Sequence, residues 1–384
     1  MRRGGFRTEP ASASANVKVL LTRSKTRHIA LMQTRRTFLT TLAAATASPL
    51  FAQGAKPKLK VGYDNFAVRA MKWKAPALLD FAATMKCDTL FISDLDSFES
   101  LEDAALREVK KKADDMGIEL YVGGWSICPT SKSFKNNRGT AEEYLQLGIR
   151  VAKALGSPVY RVVLGAANDR QTEGGIRARI ADTVKVLKAC KSAATDAGVK
   201  VAIENHAGDM HSWELRDLIE EAGRDFTGAN FDSGNAAWTL EDPHEAFEIL
   251  GPVTICSSLR DDMIWETPEG ASVAWTAAGE GLMDWKRLAT RWTELCPKVP
   301  IQIETISGFS RGFATKKEDF WKGYDKRPEA VEKFEAMAKR GKAIPGFKAP
   351  EGVDKNLAEQ DYQKGEVERS IKYLREVVGL GLKA

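Results

Sequence analysis

The chain has 384 residues, 43% of them apolar and 28% charged, and a formal net charge of +5. The positive sign belongs to residues 1–52, where nine Lys and Arg stand against one acid, Glu9; subtracting that +8 from +5 leaves −3 for the remainder. The length suits one large α/β domain with additions, and a mildly acidic body lacks the basic face that phosphate binding needs, which excludes nucleic acid as a partner.

Residues 1–52 read as a targeting segment. Thr34-Arg35-Arg36-Thr37-Phe38-Leu39 is a twin-arginine signature, followed by an acid-free apolar stretch over 38–51 and small residues suited to cleavage near Ala47 or Ala52. The stretch is too short to persist as a transmembrane helix. The expected mature protein is therefore carried folded to the periplasm by the twin-arginine export machinery and keeps no membrane anchor. Met32 stands just before the arginines, so residues 1–31 read as an over-long gene start.

From residue 58, strand-like runs alternate with helical periodicity. Strands are expected at 59–63, 89–92, 119–122, 159–164, 199–204, 227–232, 253–259 and 299–304. Helices are expected at 76–85, 106–116, 141–155, 176–197, 213–221, 243–250 and 285–295, with Gly117, Gly156 and Gly198 where helices must stop. Eight repeats over 58–307 predict a closed (β/α)8 TIM barrel. A doubly wound sheet would need a glycine-rich turn after its first strand, which Gly62-Tyr63-Asp64 does not supply. Residues 308–384 form a C-terminal extension. Its aromatic part, 309–324, is expected either as a lid over the barrel mouth or as packing outside it, and 357–378 as a helix stopped by Gly379. Five cysteines without a C-x-x-C pair exclude a disulfide scaffold and a zinc knuckle.

Four apolar runs end in polar clusters: Glu204-Asn205-His206, Asp232-Ser233-Gly234-Asn235, Ser258-Leu259-Arg260-Asp261-Asp262 and Glu304-Thr305. Strand ends of a barrel share one rim. Glu204, Asp232 and Glu304 would converge there, and convergent carboxylates need a cation or a proton among them. That reads as a metal-assisted active site. His206 lies on the same side of its strand as Glu204 and reads equally as a ligand or as a hydrogen-bond donor. Arg161, inside the fourth strand, orients a carboxylate or substrate hydroxyls, or forms a structural ion pair. Trp125 stacks on a sugar face or packs the rim, Asn235 contacts a hydroxyl, and Arg260 holds a substrate oxygen. Asp261 and Asp262 are expected solvated or paired with Arg260, Glu280 as a loop-shaping residue, and His211 and His244 on the surface.

In this order and spacing, the motifs over about 58–307 resemble the sugar phosphate isomerase/epimerase family, the xylose isomerase-like TIM barrels. In that family a Glu ends the fifth strand, an Asp the sixth and a Glu the eighth, and a His precedes x-K-D at the seventh. Glu204, Asp232 and Glu304 match, and Gly281-Leu-Met-Asp284-Trp285 resembles the turn before the last helix. Ser258 stands where the family has its histidine ligand. The resemblance implies a metal-dependent sugar isomerase or epimerase, with proton transfer by Glu204 and Glu304 through an enediolate. It implies Glu204, Asp232 and Glu304 as metal ligands, with His206 compensating for the serine and Ser258 facing substrate. So oxygen-rich a set favours Mn²⁺ or Mg²⁺ over Zn²⁺. The absence of a lysine-glycine phosphate loop and the export signature favour a neutral sugar or glycoside. The alternatives are a 3-keto-glycoside lyase or hydratase of the same fold, and a non-catalytic sugar-binding barrel. A homo-oligomer is compatible with all three.

Overall fold

A short run that is apolar on both faces is stable only as a strand covered on both sides, and Thr89–Ile92 is buried at every position. The computed structural model describes residues 59–324 and 328–383, so the arginine pair of the leader lies outside the described residues. Eleven strands follow in chain order: β1 Val61–Asp64, β2 Thr89–Ile92, β3 Glu119–Ser126, β4 Val159–Val163, β5 Lys200–Glu204, β6 Thr227–Phe231, β7 Thr254–Ser257, β8 Asp261–Thr267, β9 Gly270–Thr276, β10 Ile301–Ile303 and β11 Ser310–Phe313. Eight of them form one parallel sheet in the order β10-β1-β2-β3-β4-β5-β6-β7. The sheet closes where Leu259, just past β7, bridges Ile303. There the Leu259 N–H donates to the Gln302 carbonyl at 2.7 Å and the Glu304 N–H to the Leu259 carbonyl at 2.8 Å. These are the eight strands expected from sequence, and the fold is a (β/α)8 TIM barrel.

The helices wrap the outside for the reasons their sequences state. The helix Ala141–Ala154 starts at a capping box, Thr140 Oγ1 accepting from the Glu143 N–H and Glu143 Oε2 from the Thr140 N–H. It buries Tyr144, Leu145, Ile149 and Val151 against the sheet, and a leucine fully buried in this way contributes about 1.5–3 kcal/mol. The expected helix over 176–197 divides at Cys190 into Gly175–Ala189 and Lys191–Ala197. Gly156 and Gly198 end their helices with φ of 68° and 67°, the left-handed region that other side chains resist. Inside the barrel, Phe91, Tyr121, Val159, Ala202 and Cys256 make a separate apolar floor. Everything above that floor faces a low-dielectric base.

The hairpin β8–β9 is an addition that was not expected from sequence. Its strands pair antiparallel from Asp261↔Thr276 to Thr267↔Gly270, and β11 adds to β9 from Ser310↔Ala274 to Phe313↔Ala271. The aromatic stretch after the last barrel strand therefore begins as the third strand of a small sheet. The C-terminal helix runs over Lys355–Tyr373 and continues as a wider turn over Leu374–Val378. It lies across the β1 loop, where Gln363 Oε1 accepts from the Ala70 N–H at 2.9 Å and Gln360 Nε2 donates to the Ala70 carbonyl at 3.0 Å.

Helix and sheet pack tightly at Gly148, where an added Cβ would lie 2.0 Å from the Tyr160 ring. Gly148→Ala should therefore lower unfolding stability by about 1–3 kcal/mol, the usual cost of overpacking. Gly312→Ala, with nothing within 4 Å of its Cβ, should be near neutral. Urea denaturation of both variants checks this, and equal stabilities would contradict the packing described.

Candidate active site

A carboxylate at the end of a barrel strand is carried to the mouth by the strand itself. Glu204 ends β5, Asp232 follows β6 and caps the short helix Ser233–Trp238, and Glu304 follows β10. Among the described residues these three form the cluster whose ligand atoms all lie within 4.8 Å of one another. Each is at most 4% exposed. Asn205 fixes the middle one from its backbone: its Oδ1 accepts from the Asp232 N–H at 2.9 Å and its Nδ2 donates to the Asp232 carbonyl at 2.7 Å.

Three buried carboxylates this close repel strongly unless positive charge stands among them. Two arginines supply it. Arg161 rises from β4 past Gly123, its guanidinium 5.4 Å above the Phe91 ring. Its Nε lies 3.1 Å from Glu204 Oε2, and its Nη1 donates to the Gly124 carbonyl at 2.6 Å. Arg260 enters from beyond β7, and its Nη2 donates to both Asp232 Oδ2 and Glu304 Oε2. Asn235 completes the network, with Nδ2 donating to Asp232 Oδ2 at 2.6 Å and to Glu204 Oε1 at 3.2 Å. That leaves Asn235 Oδ1 without a protein partner.

The remaining expected residues sit as follows. Ser258 is fully buried beneath the cluster, its hydroxyl donating to Asp64 Oδ2 at 3.3 Å and accepting from Asn230 Nδ2 at 3.2 Å. His206 lines the cavity, but its Nδ1 lies 2.6 Å from the Gly165 carbonyl and it is not a member of the carboxylate cluster. Trp125 also lines the cavity, with its indole N–H on the Ser133 carbonyl and its ring edge-on to His206. Glu280 does not reach the cavity and pairs with Arg369.

Several surroundings differ from expectation. Asp261 and Asp262 are neither solvated nor paired with Arg260; both are 0% exposed. Asp261 accepts from the N–H groups of Gly279 and Met283 and from the Trp285 indole, tying the hairpin to the helix Trp285–Leu295. His211 and His244 are buried too. His211 stacks on Trp213 and faces Glu241, while His244 Nε2 accepts from the Asp284 N–H. Asp64, at the end of β1, was missed. It obeys the same strand-end rule as the triad and accepts from the Ser93 hydroxyl at 2.5 Å and the Phe66 N–H at 2.8 Å.

Burial pushes the carboxyls of Glu204, Asp232 and Glu304 above their ordinary range, and neighbouring carboxylates add to the shift, while the arginines oppose it. Burial, followed by the charge of Glu304, carries Asp64 up to about 7. Burial lowers His206 to about 4, so the ring is neutral at physiological pH. Because a carbonyl only accepts, the proton is on Nδ1 and Nε2 is left as an acceptor.

Glu204 and Glu304 of the cluster line a cavity of about 490 Å³ walled by Phe66, Trp125, Trp238 and Trp275, with Lys135 and Arg138 also among its lining residues. The stretch 309–324 contributes no lining residue; its Phe309 instead packs edge-on against Trp238 and Trp275. A divalent ion needs donor atoms that the protein leaves free. Here Arg260 already joins Asp232 to Glu304, and Glu204 is held by Arg161, Asn230 and Asn235. The seventh-strand position offers only an engaged hydroxyl. As these residues stand, they do not fit a divalent ion.

The lowered pKa of His206 makes a stability prediction. The group titrates near 6.5 unfolded and near 4 folded. Its contribution is thus complete above 6.5 and is lost as pH falls from 6.5 towards 4. The wild type should lose more unfolding stability across that window than His206→Gln does. Parallel pH profiles in urea denaturation would contradict a histidine buried neutral.

Comparison with known proteins agrees with the architecture. The family described as xylose isomerase-like TIM barrel matches residues 79–305, more than half of the chain. A 3-oxo-isoapionate decarboxylase of Pectobacterium atrosepticum is 21% identical over 214 residues, 55% of this chain and 70% of that protein. Among solved structures, D-psicose 3-epimerase from Clostridium cellulolyticum H10 with D-tagatose superposes with a TM-score of 0.53 at 14% identity, covering 83% of this chain and 99% of its own. The IOLI protein with a bound zinc atom gives a TM-score of 0.52 at 14% identity, covering 74% and 100%.

Proposed function

The chain belongs to the xylose isomerase-like TIM-barrel family, and on that premise we propose that it is a sugar isomerase or epimerase, moving a proton next to a carbonyl through an enediolate. One observation carries this reading. Glu204 and Glu304 are buried carboxyls whose pKa values burial raises above the ordinary carboxylate range, and both line the same cavity. One takes the proton from the carbon next to the carbonyl, and the other returns a proton to the enediolate. Arg161 and Arg260 line the cavity beside them, where fixed positive charge favours the developing oxyanion. The free Oδ1 of Asn235 accepts a substrate hydroxyl, and the Trp125 ring, edge-on to His206, offers a flat face to the C–H face of a sugar ring. The proposed substrate is a neutral sugar or glycoside.

A second reading, β-elimination from a 3-keto-glycoside, is favoured by the roomy cavity and by the decarboxylase relative, whose named substrate is a 3-oxo sugar acid. It uses the same two glutamates, one as base and one as acid to the departing oxygen.

Incubation with free ketoses and with 3-keto-glycosides in D₂O tests both. Epimerisation puts solvent deuterium on an intact sugar, whereas elimination releases the aglycone and leaves an unsaturated sugar. Glu204→Gln and Glu304→Gln should each slow the reaction by about 10²–10⁴-fold, the usual worth of a positioned acid or base, with the fold retained. If neither substrate class exchanges deuterium or turns over, the proposal fails.

A further inference from the structure

We propose that Arg260 is a resident cation, built into the carboxylate cluster so that positive charge at the reaction centre comes from the chain and no divalent ion is bound there. The first ground is position. One nitrogen, Nη2, hydrogen-bonds to Asp232 Oδ2 and to Glu304 Oε2 together. That is the point between two of the three clustered carboxylates at which an ion would have to sit. A guanidinium seated between those two oxygens fills the space an ion would need, and their like charges repel at contact.

The second ground is that the surrounding chain is shaped to hold an arginine at this place. Gly234 must lack a side chain, because a Cβ there would stand 2.3 Å from Arg260 Cγ and 2.4 Å from Cδ. The Trp275 ring lies beneath the guanidinium, 4.2 Å from its carbon, and its indole N–H is tied to the Gly234 carbonyl at 2.9 Å. Ser233 Oγ holds the Arg260 backbone on both sides, accepting from its N–H at 3.1 Å and donating to its carbonyl at 2.6 Å. Two elements thus fix one side chain: the short helix Ser233–Trp238 and strand β9.

The third ground is what Arg260 still offers. It is 2% exposed and lines the cavity, yet its Nε–H has no partner in the protein. A buried, unpaired, charged donor is costly unless a ligand atom meets it. A guanidinium keeps its charge at any working pH and presents several donors in one plane. It can therefore hold Asp232 and Glu304 with one nitrogen and take a substrate oxygen with another. Only this last role, facing the developing oxyanion, rests on the isomerase reading; the exclusion of a divalent ion does not.

The test needs no substrate, so it fails or succeeds separately from the deuterium experiment. Metal content of the purified full-length protein is measured by mass spectrometry, and thermal unfolding is followed with Mn²⁺, Mg²⁺, Zn²⁺ or EDTA added. The expected result is no stoichiometric divalent metal and a Tm unmoved by any of the four. The double variant Ser258→His, Arg260→Ala removes the resident cation and supplies an imidazole. It should gain a Tm that rises with Mn²⁺ or Zn²⁺. Stoichiometric metal in the wild type, or a wild-type Tm raised by an ion, overturns the proposal. So does a folded double variant that remains indifferent to every ion. If the double variant does not fold, the wild-type measurements decide alone.

Discussion

Three carboxylates brought together by a barrel mouth, above an apolar floor, set the constraint on which the rest of this structure depends. Each strand end is the natural place for a functional group, but a shared rim makes neighbours of groups far apart in sequence. Leaving such charges unpaired at low dielectric would cost several kcal/mol per ion. The chain answers with two arginines, Arg161 within β4 and Arg260 beyond β7, and with the amides of Asn230 and Asn235. Removing one partner of such a network leaves the others uncompensated, which is why its members are best understood as a unit.

Much of the architecture outside the barrel serves that unit. The hairpin β8–β9 delivers Trp275 beneath Arg260, and β11 completes the small sheet that keeps the hairpin in place. Asp261 fastens the base of the hairpin to the following helix with backbone and indole donors. The C-terminal helix reaches back to the same region, where the Ser370 hydroxyl accepts from the Ala278 N–H at 3.0 Å and Arg369 pairs with Glu280. The extension thus braces the loops that carry the site. The cavity stays lined by barrel loops and by the hairpin.

The barrel was legible because most strands are short apolar runs and the segments between them have helical periodicity, so eight repeats could be counted in order. The place of Glu204, Asp232 and Glu304 follows from the same rule. Asp64 obeys it too, but the apolar run that marks the first strand ends at Tyr63, one residue short of the carboxylate. The hairpin was hidden because its first strand begins with a pair of aspartates and its two strands meet at Thr267-Pro268-Glu269-Gly270. Its charges look like a solvated loop until Asp261 is seen to collect four donors. His211 and His244 were read as surface residues because helix approaches usually are exposed. Here Glu241 and the Asp284 turn fold over them. From sequence, Arg260 was given to a substrate oxygen. Its bond to Glu304 could not be seen, since it depends on closure of the barrel between β7 and β10.

The central claim is that Arg260 and Asp232 hold each other within the buried cluster. A double-mutant cycle measures this most directly, with Arg260→Met, Asp232→Asn and both together followed by urea denaturation. Either single variant strands a buried charge. The account therefore predicts that the double variant is more stable than the sum of the two losses implies, with a coupling of about 1–3 kcal/mol. Additive losses would mean that the two side chains do not meet, and the site would have to be rebuilt around a different cation.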